Sequence, residues 1–203
     1  MQFLRARVIR ALFASAAAVV VGAGGCHTSD RPLGVSLTPF VSDSNARPEV
    51  PANPKVKIYI SMSDARQDVT KIGENREEDE VRLVYSSGST PAEFIREIVS
   101  REFSAAGMTV VIDRAQANRL LNVSVTQFFV MEKGTYQAQV NVTADVADES
   151  GKKLWTRNVS GANGTWGRSY RARNYQQVLT AATVEIAASM LKDQDFVKAV
   201  QIP

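Results

Sequence analysis

Alternating apolar and polar positions predict most of the strands in this chain. The clearest run is Tyr136 to Ala147, in which every second side chain is apolar and the side chains between them are mostly polar. A period of two is typical of a strand that buries one face. The same alternation predicts strands over 55–62, 119–131 and 153–160, and the apolar stretch 108–112 predicts a short one.

Helical spacing predicts two helices. Thr90 and Glu93 flank Pro91 in a capping box, an apolar stripe follows from Phe94 to Phe103, and Gly107 is placed to end the helix. A second helix is predicted to begin near Asn174, with an apolar stripe over 178–191 and a short turn at 196–197 behind it.

The order of these elements, β-α-β-β-β-β-α, predicts an α+β fold. We expect a two-layer sandwich in which a mostly antiparallel sheet of about four to five strands carries both helices on its apolar face. The charged segment 73–82 is interpreted as a solvated loop or hairpin. Gly161, Gly164 and Gly167 are expected to loosen the backbone after the last strand.

The N-terminus has the layout of a secretory signal peptide. Arginines at 5, 7 and 10 precede an apolar run over 11–21, and small residues at 23–25 lead to Cys26, the single cysteine of the chain. The apolar run is shorter than the roughly 20 residues that span a bilayer. Cys26 after small residues resembles the lipobox of bacterial lipoproteins. The resemblance implies cleavage before Cys26 and acylation of its thiol and α-amine; an ordinary secreted protein with a free thiol is the alternative.

These features divide the chain into three parts. They are a signal peptide over 1–25, a lipidated, proline-rich tether over 26–54, and a periplasmic domain over 55–203, with a candidate edge strand near Val35, Leu37 and Phe40 inside the tether. The chain has 24 basic and 21 acidic residues; without the three signal-peptide arginines the two numbers are equal. This balance removes the main support for nucleic-acid binding.

The order of motifs over 33–200 resembles the YajG-type family of bacterial lipoproteins. The motifs are the lipobox, the proline-rich lead, a first strand that ends at Asp64 and Arg66, the capped helix, the 136–147 strand and the C-terminal helix. At the level of the fold, the pattern also resembles LptE-like lipoproteins and the auxiliary lipoproteins of lipid-transport ABC systems. The resemblance implies no catalytic residues. The position after the cysteine holds His27 and not Asp, a pattern that resembles that of lipoproteins sorted to the outer membrane.

The residue inventory argues against an enzyme. The single histidine is His27, beside the expected anchor, so nucleophile–histidine mechanisms are excluded from the domain. The acidic segment 73–82 lacks an ordered ligand spacing, so we expect no metal, and nothing indicates another cofactor.

Three groups of residues are candidates for partner binding. Asp64 and Arg66 form either a contact for a partner or a local ion pair. The second group is an arginine- and tyrosine-rich loop, which is either a binding hot spot or a solvated loop; it comprises Trp166, Arg168, Tyr170, Arg171, Arg173 and Tyr175. The third is an uncharged sheet face with Gln137, Gln139 and the sequon asparagines, which is either simply solvated or a surface for docking or homo-oligomerisation; these asparagines are Asn122, Asn141, Asn158 and Asn163.

The sequence thus predicts a non-catalytic lipoprotein of the bacterial outer membrane, with its domain in the periplasm. Its expected role is to bind or scaffold an envelope protein, lipid or glycan. A carrier of acyl chains, or an auxiliary subunit of an envelope transport system, is the alternative.

Overall fold

The computed structural model describes residues 31–40, 50–51, 53–78 and 80–201. The predicted signal peptide and Cys26 lie outside these residues. Eight strands and three α-helices follow one another along the chain, with a short 3₁₀ turn at 114–116. They are β1 Leu33–Ser36, β2 Lys57–Asp64, β3 Lys71–Asn75, β4 Arg82–Ser87, α1 Pro91–Ala105, β5 Thr109–Val111, β6 Arg119–Glu132, β7 Thr135–Asp148, β8 Lys153–Trp166, α2 Ala172–Lys192 and α3 Gln194–Ala199.

Strand β6 organises a mixed sheet. Along one side, β2 pairs in parallel with its first half and β3 pairs in parallel with its end. Along the other side, β7 runs antiparallel over the whole strand, and β8 continues the meander. Beyond β2 lies β5, and beyond β3 lie β4 and then β1. The sheet therefore contains four parallel and three antiparallel pairings.

A bulge in β6 keeps one face of the sheet buried. The register with β7 shifts between Val125 and Gln127. Before the shift the buried positions are odd-numbered, as at Leu121, and after it they are even-numbered, as at Phe128 and Val130. Because a slip of one residue exchanges the two faces of a strand, the bulge returns the apolar side chains to the same layer.

The two long helices cover the apolar face of the sheet. Helix α1 begins as predicted, because the Thr90 hydroxyl accepts from the Glu93 N–H (3.2 Å) and the Glu93 carboxylate accepts from the Thr90 N–H (2.8 Å). Helix α2 contacts α1, β7 and β8. Side chains without any exposed surface fill the layer between them; they include Ile95, Ile98, Val99, Phe103, Val140, Ala144, Val178, Leu179 and Ile186.

Helix α2 lies unusually close to β8. A Cβ on Gly161 would be 2.0 Å from the carbonyl oxygen of Ala182 and 3.0 Å from the Ile186 side chain. The carboxylate of Glu185, also on α2, accepts from the backbone N–H of Ala162 at 2.8 Å. Glycine at 161 thus allows the helix backbone to touch the strand backbone.

The predicted α+β class is confirmed, and several details need correction. The expected sheet of four or five strands has eight in the described residues, because β1, β3 and β4 add to the predicted strands; β3 and β4 form a hairpin, which was one of the two interpretations of the charged 73–82 segment. The sheet is mixed, whereas a mostly antiparallel one was predicted. Strand β8 continues through Gly161 and Gly164 instead of ending before them, and a third helix ends the chain.

Two boundaries also differ from the prediction. The folded unit begins before 55, because Leu33–Ser36 of the expected tether pairs with β4 and Val35 is fully buried. This agrees with the candidate edge strand. Helix α2 begins at Ala172, and its N-cap residue Arg171 makes no side-chain cap hydrogen bond, so the expected cap at Asn174 is wrong.

Gly161→Ala should lower the free energy of unfolding by about 2 kcal/mol, because the added methyl would force α2 away from β8. Urea unfolding followed by circular dichroism measures the loss. Gly34→Ala is the matched control, since its nearest neighbour, the Ser87 hydroxyl, would be 3.7 Å away. We expect the control to stay within about 0.5 kcal/mol of wild type. Equal effects of the two substitutions would contradict this account of the contact.

Candidate functional site

The face of the sheet opposite the helices is the candidate site, and we call it the open face. On β6, β7 and β8 it consists of the side chains that alternate with the buried ones. Registered across the strands, they form the rows Asn122–Asp145–Thr156, Ser124–Thr143–Asn158, Gln127–Asn141–Ser160, Phe129–Gln139–Ala162 and Met131–Gln137–Gly164. Ser61 and Ser63 of β2 extend the first two rows.

The open face is almost free of charge. Across its three long strands, all of them described, the charged side chains on this face are Asp145 and Lys153; the Asp145 carboxylate accepts from Asn122 Nδ2 at 3.0 Å and lies 3.8 Å from Lys153 Nζ. Three of the four sequon asparagines lie here as predicted; the register places Asn163 out of phase with them. The prediction of an uncharged polar face therefore holds for Asn122, Asn141 and Asn158.

Amide side chains on this face hold one another in place. Asn141 Nδ2 donates to Gln127 Oε1 at 2.6 Å, and Gln127 Nε2 donates to Gln139 Oε1 at 3.3 Å. Gln137 Nε2 donates to the Thr135 hydroxyl at 3.3 Å. The polar groups are thus oriented by their neighbours before anything binds.

A hollow of about 720 Å³ lies at one end of the open face. Ala162 and Gly164 carry too little side chain to fill it, while Phe129 and Met131 supply apolar surface. The lining residues are Gln127, Phe129, Met131, Gln137, Ala138, Gln139, Ala162, Asn163 and Gly164. Trp166 follows Ala162 and Gly164 on the same side of β8, and 84% of it is exposed.

A larger hollow, of about 990 Å³, lies at the opposite end of the β7–β8 hairpin. Charged side chains of both signs line it, and several are already paired. Arg157 lies 3.2 Å from an Asp193 oxygen and 3.9 Å from an Asp195 oxygen. Because these ions satisfy one another, we place the candidate site at the open face.

The predicted arginine- and tyrosine-rich loop divides into an exposed part and a buried part. Trp166, Arg168, Arg171 and Arg173 are exposed. Arg168 Nε lies 3.5 Å from Glu77 Oε2, and the Arg173 guanidinium lies over the ring of Phe40 at 5.8 Å. The loop therefore presents Trp166 at a corner of the open face.

The tyrosines of this loop point inwards, toward a residue that the sequence analysis missed. The fully buried carboxylate of Glu132 accepts from the Tyr170 N–H at 3.0 Å and from the Tyr175 hydroxyl at 2.7 Å. Tyr175 packs edge-on against Tyr136, whose hydroxyl accepts from the Ser169 N–H at 3.2 Å. We call Glu132, Tyr136, Tyr170 and Tyr175 the anchor cluster. It holds the loop against the sheet.

Burial and the bond to Glu132 raise the pKa of Tyr175 well above its ordinary value. Burial also raises the pKa of Tyr170. Tyr170 has a φ of 44°, a backbone conformation that non-glycine side chains rarely adopt. The anchor cluster keeps the loop in this conformation, since the Tyr170 N–H donates to Glu132 and its hydroxyl donates to the Leu83 carbonyl oxygen.

Asp64 and Arg66 form a nearly buried ion pair. Arg66 Nη2 and Nε lie 2.7 and 2.9 Å from the two carboxylate oxygens of Asp64. The guanidinium also donates to the carbonyl oxygens of Val69, Lys71 and Phe128. These hydrogen bonds use all five of its N–H donors. The geometry supports the local ion pair rather than a partner contact.

Ionic side chains on β3 form one rim of the open face. The Glu74 carboxylate accepts from Lys71 Nζ at 2.7 Å and from Arg76 Nη2 at 2.6 Å. The hydrogen bond from Lys71, followed by that from Arg76, holds the pKa of Glu74 below its ordinary value. The charges beside the hollow are thus neutralised by one another.

Comparison with known proteins gives a family. A family model described as "Uncharacterized lipoprotein" matches residues 45–201, which include every element from β2 to α3. A search of the curated proteins gave no match. Among the described residues there is no group of three or more side chains suited to hold a metal ion, and no helix has both the length and the apolar character to cross a membrane.

Solved structures with similar folds include a DUF330 protein from Xanthomonas campestris. It is 17% identical, with a TM-score of 0.56, and the alignment covers 78% of this chain and 94% of that one. A minor lipoprotein from Acinetobacter baumannii is 10% identical, with 68% and 91% covered and a TM-score of 0.42. The PelC dodecamer of Paraburkholderia phytofirmans is 17% identical, with 70% and 95% covered and a TM-score of 0.41. Of these three, the first alone supports the fold.

The fold and the matched model define a bacterial lipoprotein. The chain belongs to the family described as uncharacterized lipoprotein.

Tyr175→Phe tests the anchor cluster. Removing the donor to a buried carboxylate oxygen should lower the free energy of unfolding at pH 7 by about 1–3 kcal/mol. In wild type the neutral phenol is favoured in the folded state, so its contribution is fully present below pH 10.0, the ordinary pKa, and is lost as the pH rises above it.

Urea unfolding between pH 7 and 11.5 measures both effects. The wild-type free energy of unfolding should fall by up to about 1.4 kcal/mol per pH unit above pH 10 from this group. Tyr175→Phe should lack that part of the slope. Tyr59→Phe, at a half-exposed position on β2, is the control. An unchanged alkaline slope in Tyr175→Phe would rule out the coupling.

Proposed function

We propose that this lipoprotein is a non-catalytic component of the bacterial outer membrane that binds another envelope component through its open face. The observation that carries the proposal is the combination of an uncharged, uncovered sheet face with Trp166 at its corner. Charged residues are depleted at the centre of interfaces, and tryptophan is enriched there. The order of motifs that resembles the YajG-type family agrees with this role.

The interior offers little support for a carrier of acyl chains. Side chains with no exposed surface occupy the layer between the helices and the sheet, among them Ile95, Ile98 and Val178. An acyl chain would have to displace them, at the cost of separating α2 from β8, where the two backbones already touch. Binding at the surface requires no such opening.

The anchor is tested by Cys26→Ser in the full chain. Without the thiol no lipid can be attached, so the protein should move from the membrane fraction to the soluble periplasmic fraction and lose the mass of the acyl groups. Ser29→Ala, three residues further on, is the control and should remain in the membrane fraction. Membrane retention of Cys26→Ser with full yield would refute the anchor.

Photo-cross-linking in intact cells tests the binding face. We expect p-benzoylphenylalanine in place of Gln137, on the open face, to give a discrete adduct of higher mass. The matched control replaces Gln116, an exposed glutamine in the 3₁₀ turn, and should give none.

The mass of the adduct separates the possible outcomes. An adduct with a different envelope component supports the proposal. An adduct of twice the chain's mass would assign the open face to a second copy instead. No adduct at 137, or the same adducts at 137 and 116, would count against the open face as the binding surface.

A further inference from the structure

We propose that the hollow beside Trp166 binds an uncharged glycan. This inference rests on the proposed function, because it names the chemical class of the component that the open face contacts. Three properties of the hollow carry it, namely its shape, its hydrogen-bonding groups and its lack of charge.

The shape suits a short run of sugar rings lying along β8. Ala162 and Gly164 form a low floor, and Trp166 continues the same line of side chains at the end of the strand. From Ala162 to Trp166 this line is about 13 Å long at the rise of a β-strand. Phe129 and Met131 on β6 bound the hollow with apolar surface.

Trp166 supplies the contact that sugars need on one face. A pyranose ring presents a patch of C–H groups, which packs against the electron-rich face of an aromatic ring. Trp166 is 84% exposed. By contrast Trp155, the other tryptophan, is 7% exposed, and its ring N–H donates to Asp193 at 3.1 Å. The exposed ring of Trp166 therefore lies at the end of the line of side chains that begins in the hollow with Ala162 and Gly164.

The amides around the hollow match sugar hydroxyls. Gln127, Gln137 and Gln139 each carry both a donor and an acceptor, as a hydroxyl group does. Gln127 accepts from Asn141 at 2.6 Å and donates to Gln139 at 3.3 Å, and Gln137 donates to the Thr135 hydroxyl at 3.3 Å. An apolar partner would bury these amides without replacing their water contacts, which is costly. A sugar can replace those contacts.

The charges around the hollow favour a neutral ligand. No charged side chain lines the hollow within the described residues. The neighbouring ions are paired with one another: Glu74 lies between Lys71, whose ammonium is 5.9 Å from the centre of the Phe129 ring, and Arg76, and Arg168 lies beside Glu77. A charged glycan would lose hydration here without gaining a counter-ion.

Isothermal titration calorimetry on the detergent-solubilised full chain tests the proposal. The probes are the neutral oligosaccharides cellohexaose, maltohexaose and hexa-N-acetylchitohexaose, with hexagalacturonate as the anionic control of equal length. We expect saturable binding of at least one neutral probe and none of hexagalacturonate. Trp166→Ala should weaken that binding about tenfold or more.

Two further variants separate a local effect from a loss of fold. Ala162→Gln keeps the face uncharged but fills the floor at an exposed position, and it should weaken binding while leaving the circular dichroism spectrum unchanged. Ile112→Ser changes an isoleucine that is 98% exposed beside β5, at another edge of the sheet, and should bind as wild type does.

The proposal is overturned if no neutral probe binds, if hexagalacturonate binds as well as the neutral probes, or if Trp166→Ala and Ala162→Gln bind normally. Failure here is distinguishable from failure of the proposed function. A protein adduct at position 137 together with no glycan binding would keep the open face as a docking surface and exclude the glycan. No adduct and no glycan binding would remove both.

Discussion

The close contact between α2 and β8 is the constraint on which the rest of the molecule depends. Gly161 lets the carbonyl oxygen of Ala182 approach the strand backbone, and Glu185 binds the N–H of Ala162 beside it. With α2 on this side, the apolar side chains of β7 from Tyr136 to Val146 face the helices, and the side chains that alternate with them lie on the open face. The same contact fixes where α2 begins and therefore where the loop that carries Trp166 crosses the end of the sheet.

Two kinds of polar groups are found on and around the open face, namely ion pairs and uncharged amides or hydroxyls. Ionic side chains lie at one rim, where Glu74 is paired with Lys71 and Arg76. Amides and hydroxyls occupy the middle, where several of them are hydrogen-bonded to one another. Exchanging an amide contact for a ligand contact costs less desolvation than exposing or burying an ion. The arrangement thus confines easily exchanged hydrogen bonds to the one surface that the helices leave uncovered.

Periodicity in the sequence was enough to predict the strands and helices that bury one continuous stripe of apolar side chains. The 136–147 strand and the capped helix at Thr90 are examples, because each satisfies its rule within a few neighbouring residues. The sequence did not predict β3 as a separate strand, because its charged residues suggested a solvated segment. These residues neutralise one another in the fold, and composition does not reveal that pairing. Asp64 and Arg66 were recognised as a pair, but their burial depends on the carbonyl groups of a strand 62 residues away from Arg66.

The role of Glu132 in the anchor cluster could not be recognised from the neighbouring sequence. Glu132 looks like a turn residue, since Lys133 and Gly134 follow it, and its inward direction depends on the bulge earlier in β6. With the bulge known, the even-numbered buried positions that start at Phe128 would lead to Glu132, and a carboxylate at a core position would have been the signal. The polar face itself was predictable from alternation, whereas the hollow was not, because it arises from small residues of β8 opposite large ones of β6.

The bulge in β6 also bears on how the length of this chain can vary. Thr126 is the extra residue of this bulge, so deleting it would remove the register shift and leave strict alternation, with Phe128, Val130 and Glu132 still inward and Gln127 and Phe129 still outward. Insertions in the 148–152 turn move no strand out of phase, because both strands that leave the turn keep their own alternation. The family to which this chain belongs should therefore tolerate changes of length at that turn and the loss of residue 126, because neither change exchanges the two faces of the sheet.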